Sequence, residues 1–371
     1  MSIRDLVKPH IRDLAPYQPG KPMEELEREL GISDSIKLAS NENPLGPSPK
    51  AVEAIRTAAA AVHRYPDAAS FKLRAKLAAR LGVGEDQLVF GTGCDEVIEL
   101  IAKTFIGTGD EVVYPWPSFA MYPIVVSGMG GTPVEIPLAA DLDHDLEAMA
   151  DAITDQTRVV MVCNPNNPTG VSFGAKAFER FVARIPDHVV LAIDEVYVEF
   201  ARRADFPNSL ELIARRPATI ALRSFSKIYG IAGVRIGYGI TSPELANYLE
   251  RARHPFNVNL LAQAGAAAAL DDEDHFQETL ALNASGGDYL RDALEQLGIQ
   301  TWPSDANFIL AKTGPGVYEG LLSRGIIIRP MSAFGLTEHV RISIGLPEEN
   351  ERLVKAITEL VGPKDAPGGE A

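Results

Sequence analysis

The sequence predicts an α/β fold: a mostly parallel central sheet flanked by helices, followed by a smaller α/β domain toward the C-terminal end. Three observations carry this. Short apolar runs recur at 87–90, 110–114, 132–136, 158–163, 188–193, 218–222 and 235–240, with helical patterns between most of them. The runs are apolar throughout rather than alternating, as expected of strands covered on both faces. The chain has 371 residues, more than the ~250–300 at which one core stops growing, so two lobes are expected.

Taken in order, residues 1–44 are expected to form an N-terminal arm and part of the small domain, with an irregular stretch at 15–22 before a short helix at 23–30. Residues 45–270 form the expected large domain, with helical patterns at 48–61 and 70–81 and a helix at 94–105 directly after the strand 87–90. Beyond residue 272 a long helix (273–297) leads to short strands at 299–301, 306–310, 325–329 and 339–344, with helices at 316–323 and 348–360. This is the expected small domain, 271–362. The tail 363–371 (PKDAPGGEA) is polar and rich in Pro and Gly, and is expected to be disordered.

Composition narrows the function. The formal charge of −15 argues against a nucleic-acid surface and against an anionic membrane surface. An acidic chain that binds an anionic small molecule must gather its few cations in a pocket. No apolar run approaches ~18 residues and no apolar core follows the charged N-terminus, so neither a membrane span nor a signal peptide is expected; cytoplasm is. Cys94 and Cys163 read as free thiols, and without CxxC spacing no metal site is expected.

The chemistry-bearing blocks sit at strand ends. Lys227 lies between a strand end and a glycine-rich turn, with Ser224 and Ser226 before it and Arg235 after it. A lysine amine that condenses with an aldehyde needs a protected site, and a phosphate-bearing cofactor needs hydroxyls and a guanidinium nearby. Asn167 lies in the rigid turn NPNNPTG (164–170), where its amide can reach a ligand oxygen. Asp194 ends an apolar strand, at the sheet edge where α/β proteins bind ligands; a carboxylate there can keep a ring nitrogen protonated, and Tyr197 can reach the ring's oxygen. The turn GTGCDE opens a helix at Cys94 and Asp95, an anion site made of free N–H groups. Phe119 can stack on a ring. Arg329 and Arg341 are embedded in apolar strands, where each needs an anion or an acidic partner; on adjacent strands they would suit a carboxylate or a dianionic phosphate.

In this order GTGCDE, PSFAMY, NPNNPTG, DEVY, SFSK, GVRIG and VRISIG resemble the fold type I pyridoxal-5′-phosphate (PLP)-dependent aminotransferases over nearly the whole chain. The resemblance implies that Lys227 is the Schiff-base lysine and the base that moves a proton, that Asp194 pairs with the pyridine nitrogen, and that Asn167 and Tyr197 meet the ring's phenolic oxygen. It implies that Phe119 stacks on the ring and that Ser224, Ser226, Arg235 and the backbone at Cys94 and Asp95 form the phosphate cup. Arg341 matches the arginine that receives the substrate's carboxylate.

LAPYQPG (14–20), LASNENP (38–44) and RYPD (64–67) are similar to histidinol-phosphate aminotransferases. In that family the tyrosine matching Tyr65 reaches the PLP phosphate of the neighbouring subunit, which implies a homodimer. Arg329 with Arg341 resembles the substrate-phosphate site, with Tyr17 as a helper. The implied substrates are histidinol phosphate, glutamate and 2-oxoglutarate. RPMSAFG (329–335) also resembles a variant shared with aromatic amino-acid aminotransferases, so phenylalanine or tyrosine stays open as substrate. A PLP-dependent phospho-amino-acid decarboxylase and a ligand-sensing module on the same scaffold are the other readings.

Overall fold

The computed structural model of the chain describes residues 2–16 and 20–362. The expected helper Tyr17 and the expected disordered tail 363–371 lie outside the described residues. The strands, in chain order, are β1 (Ile36–Leu38), β2 (Leu88–Gly91), β3 (Glu111–Trp116), β4 (Thr132–Pro137), β5 (Thr157–Cys163), β6 (Val190–Asp194), β7 (Thr219–Ser224), β8 (Gly237–Thr241), β9 (Gln300–Thr301), β10 (Phe308–Lys312), β11 (Ile326–Pro330) and β12 (His339–Ser343). They form a seven-stranded sheet in the order β2-β8-β7-β6-β5-β3-β4 and a five-stranded sheet in the order β1-β11-β12-β10-β9.

Within the larger sheet β4, β3, β5, β6 and β7 run parallel, each reached through a helix or longer crossover. β8 departs from that pattern and runs antiparallel to both β7 and β2. The segment between β7 and β8 holds only the 3-10 turn Ala232–Val234, with no crossover helix, so the chain doubles back on itself. That reversal is the turn that carries Lys227.

Alternation along the strands explains why the runs look apolar throughout. In β5, Val159, Met161 and Cys163 pack into one core, while Val160 and Val162 pack into the core on the opposite face. β6 does the same with Val190 and Ala192 against Leu191 and Ile193. Both faces are dry, so both parities must be apolar. The parity also sets the direction of the terminal residues. Asp194 follows Ala192 on the face covered by the helix Cys94–Phe105, and Ser224 follows Ile220 and Leu222 there too.

The smaller sheet buries Leu38, Ile309, Ala311, Ile326, Ile328, Val340 and Ile342 against the helices Glu273–Gln296 and Pro347–Val361. β1 was not foreseen. It has three residues, with Lys37 in the middle, which is too short for a pattern to show. It pairs in parallel with β11, Ile36 opposite Ile326, and so delivers the next residues, Ala39 to Asn43, to the junction between the two sheets.

Candidate active site

The last residues of β5, β6 and β7, Cys163, Asp194 and Ser224, line a cavity of about 390 Å³. Cys94, Asp95, Phe119, Asn167, Tyr197, Ser226, Lys227, Arg235, Arg329 and Arg341 line it as well. The described residues singled out from the sequence therefore converge on one place, with one exception. Tyr65 is 82 % exposed and stacks on Phe256, ring centroids 4.8 Å apart, outside this cavity.

One end of the cavity is built for an anion. The helix Cys94–Phe105 begins there, with Gly93 as its cap at φ +78°. A Cβ on Gly93 would lie 2.5 Å from Nη2 of Arg235, so glycine is what lets the guanidinium reach the helix start. Arg235 itself holds a left-handed backbone, φ +61°, a strained conformation for a non-glycine residue. Its Nη2 donates to Asp95 Oδ2 at 3.2 Å. Gly237 lets β8 approach closely, since a Cβ there would lie 2.4 Å from the Cys94 nitrogen. Helix N–H groups, two serine hydroxyls and a guanidinium thus face one small volume.

Asp194 lies at the centre. Tyr122 donates its hydroxyl to Asp194 Oδ2 at 2.9 Å, and the Val196 N–H donates to Oδ1 at 3.2 Å. Burial raises its pKa to about 6, with those hydrogen bonds opposing the rise. Next to it, Glu195 accepts from Arg223 Nη2 at 3.0 Å and from the Ser209 hydroxyl at 2.9 Å, which pins the end of β6. Lys227 Nζ donates to the Ser40 carbonyl at 3.3 Å and sits 5.8 Å from the Tyr197 ring centroid. Burial, and then the neighbouring Arg341, lower its pKa to about 8.

At the other end Arg329 and Arg341 are directly opposed across β11 and β12. Arg341 donates to Asn167 Oδ1 at 2.5 Å and to the Ala39 carbonyl at 2.8 Å. The NPNNPTG turn divides its asparagines by task. Asn164 accepts from the Phe173 N–H, and Asn166 is engaged by Ser118, Thr169 and the Pro117 carbonyl. Asn167 is the one that faces the cavity.

Sequence reasoning missed Tyr122 and the segment Ala39-Ser40-Asn41. The first was quoted inside PSFAMY and the second inside LASNENP, but neither was given a part. No local signal marked either one, since Tyr122 sits within the apolar helix Met121–Met129 and β1 is too short for a pattern to show. Among the described residues no group of three His, Cys, Asp or Glu is placed to hold a metal ion, and no helix is long and apolar enough to cross a membrane.

This geometry can be set beside known proteins. The family model for class I and II aminotransferases matches residues 33–357. Histidinol-phosphate aminotransferase 2 of Pseudomonas aeruginosa is 46 % identical over 361 residues, covering 96 % of this chain and 98 % of that protein. The histidinol-phosphate aminotransferase of Moorella thermoacetica is 45 % identical, covering 95 % of this chain and 92 % of that one. Among solved structures, histidinol-phosphate aminotransferase from Sinorhizobium meliloti in complex with pyridoxal-5′-phosphate superposes with a TM-score of 0.88 at 30 % identity, covering 96 % of this chain and 97 % of that one. Matched over most of its length by that family model and by these relatives, the chain belongs to the class I and II aminotransferases, in the histidinol-phosphate aminotransferase family.

Proposed function

We propose that this chain is a PLP-dependent aminotransferase of histidine biosynthesis, moving an amino group between histidinol phosphate and glutamate, with imidazole acetol phosphate and 2-oxoglutarate as the keto partners. The observation that carries the reading is the convergence of Lys227, Asp194 and Arg341 on one cavity.

The residues present fit PLP. The cradle kept open by Gly93 would take the phosphate, held by Ser224, Ser226, Arg235 and the main-chain N–H groups of Cys94 and Asp95. Phe119 would cover the ring, Asp194 would pair with its nitrogen, and Asn167 and Tyr197 would hold its oxygen. When bound, PLP supplies an aldehyde that condenses with primary amines and a ring that draws electron density from the amine's α-carbon. The chain supplies the rest. With a pKa of about 8, Lys227 has a usable fraction of neutral amine near neutrality, as a nucleophile and then as the base that takes the proton from the substrate Cα. Asp194, ionised above about pH 6, holds a proton on the ring nitrogen.

Arg341 and Arg329 give two guanidiniums for a phosphate dianion, and in the other half-reaction for a carboxylate, so one site serves both substrates in turn. Arg329 also borders a second cavity, of about 860 Å³, that contains Trp116 and Phe334. Those rings stack with centroids 5.8 Å apart and offer a flat apolar face to a planar side chain. That face suits imidazole, and it equally favours the second reading, an aromatic amino-acid aminotransferase. We assign the cofactor to a large domain, 45–270, and place the small domain at 271–362 together with 1–44. The enzyme acts in the cytoplasm as a homodimer, with Tyr65 reaching the phosphate site of the neighbouring subunit; its exposure within one chain supports this.

Single half-reactions of the PLP form test the substrate. Conversion by histidinol phosphate, reversed by 2-oxoglutarate, is the expected result. Faster conversion by phenylalanine moves the enzyme to the aromatic aminotransferases. Carbon dioxide release without need of a keto acid restores the decarboxylase.

A further inference from the structure

Three consecutive residues, Ala39, Ser40 and Asn41, each touch a different member of the site. The Ala39 carbonyl accepts from Arg341, the Ser40 carbonyl accepts from Lys227, and the Asn41 side-chain amide donates to the Tyr197 hydroxyl oxygen at 3.0 Å. Asn41 is 1 % exposed and holds a left-handed backbone, φ +53°, which asparagine tolerates better than most residues.

Its side chain has one sensible orientation. The Asn41 main-chain N–H donates to Ser343 Oγ at 2.8 Å, and the same hydroxyl donates back to Asn41 Oδ1 at 3.2 Å. The Asn41 carbonyl accepts from Asn307 at 3.0 Å. With Oδ1 committed to Ser343, the NH2 group is what faces Tyr197. An oxygen that accepts from an amide keeps its own proton for a different direction. The Tyr197 hydroxyl is thereby committed as a donor, and it belongs to a residue that lines the cavity.

We propose that Asn41 is a positioning residue that fixes Tyr197 as a hydrogen-bond donor toward the ring oxygen of the cofactor, and that Ser343, two residues beyond Arg341 on β12, fixes Asn41 in turn. This rests on the reading of the cavity as a PLP site. A donor beside an ionised oxygen favours the deprotonated state of the lysine–cofactor unit, so weakening that donor raises the pH at which the unit takes up a proton. The chain Ser343–Asn41–Tyr197 also ties the strand that carries Arg341 to the ring's oxygen, so the small sheet contributes to cofactor electronics without touching the cofactor.

The test is a pH titration of the visible absorbance of the PLP-loaded protein. Asn41→Gly keeps the left-handed backbone and removes only the amide; it is expected to move the midpoint upward by roughly half to one pH unit. Asn41→Asp replaces the donor by an acceptor that can take the Tyr197 proton, and moves the midpoint further in the same direction. Ser343→Ala, which leaves Asn41 in place, moves it upward by less. In a Tyr197→Phe background Asn41→Gly adds nothing, because its effect passes through Tyr197. An unchanged midpoint in Asn41→Gly alongside a shifted one in Tyr197→Phe overturns the proposal and leaves the PLP reading intact. So does an equal Asn41→Gly shift in the Tyr197→Phe background. A wild-type protein that develops no visible band with PLP removes the cofactor reading, and this inference with it.

Discussion

Taking the Lys227 ammonium out of water beside Arg341 lowers its pKa to about 8, from 10.5 for a free lysine. The folded state therefore holds this proton less tightly than the unfolded chain does. The resulting cost is fully present below about pH 8 and is relieved as pH rises toward 10.5. Lys227→Met in the cofactor-free protein is expected to melt at a higher temperature than wild type at pH 7, with the gap closing toward pH 10; a constant gap would mean that the lysine is not strained by burial. The same substitution abolishes transamination. The two arginines separate by substrate. Arg341→Ala is expected to lower kcat/KM for every substrate by roughly 10- to 100-fold, the worth of a charge-assisted pair of hydrogen bonds. Arg329→Ala should lower it more for histidinol phosphate than for glutamate, and equal losses would deny Arg329 a part in reading phosphate.

Among the elements, the start of the helix Cys94–Phe105 and the turn between β7 and β8 make the anion cradle together, and glycine spacing holds them in contact. Gly93→Ala both strains a φ of +78° and drives a methyl group against Arg235, so PLP affinity, measured by titrating the cofactor-free protein, should fall by roughly tenfold or more. Gly233→Ala, with nothing within 4 Å of the new methyl, is the control and should bind PLP as wild type does. The inner strands of the larger sheet were legible because burial on both faces forces each run to be apolar, while the edge strand β4 turns only Val134 and Ile136 inward. Several of the candidate blocks were legible because they follow such a run, as Asp194 follows Val190–Ile193. What stayed hidden is what the sequence does not encode locally. The antiparallel direction of β8 depends on how the Lys227 turn closes, and β1 is a strand only because β11 lies beside it. Asn41 looks like an ordinary loop asparagine until Ser343, far along the chain, is brought against it.

For the whole molecule, the exposed Tyr65–Phe256 stack is the test of assembly. If Tyr65 completes the neighbouring subunit's site, Tyr65→Ala and Lys227→Ala each lower activity alone. Unfolding and refolding the two together then restores activity, to about a quarter of wild type for random pairing, because each mixed dimer carries one intact site. No recovery on mixing would deny Tyr65 a place in the neighbouring subunit's site.

The pairing of Ile36 with Ile326 also sets an order of events during synthesis. At ~5–20 residues per second, the ribosome delivers β1 on the order of tens of seconds before the strand it pairs with. Late in that interval the lysine, the buried aspartate and the anion cradle can come into place, while Ala39 and Asn41 still have no β12 to dock against. The nascent chain therefore assembles its cofactor cup before its substrate clamp. A chain terminated before β11 lacks both Arg329 and Arg341, the pair proposed to hold the substrate's anion.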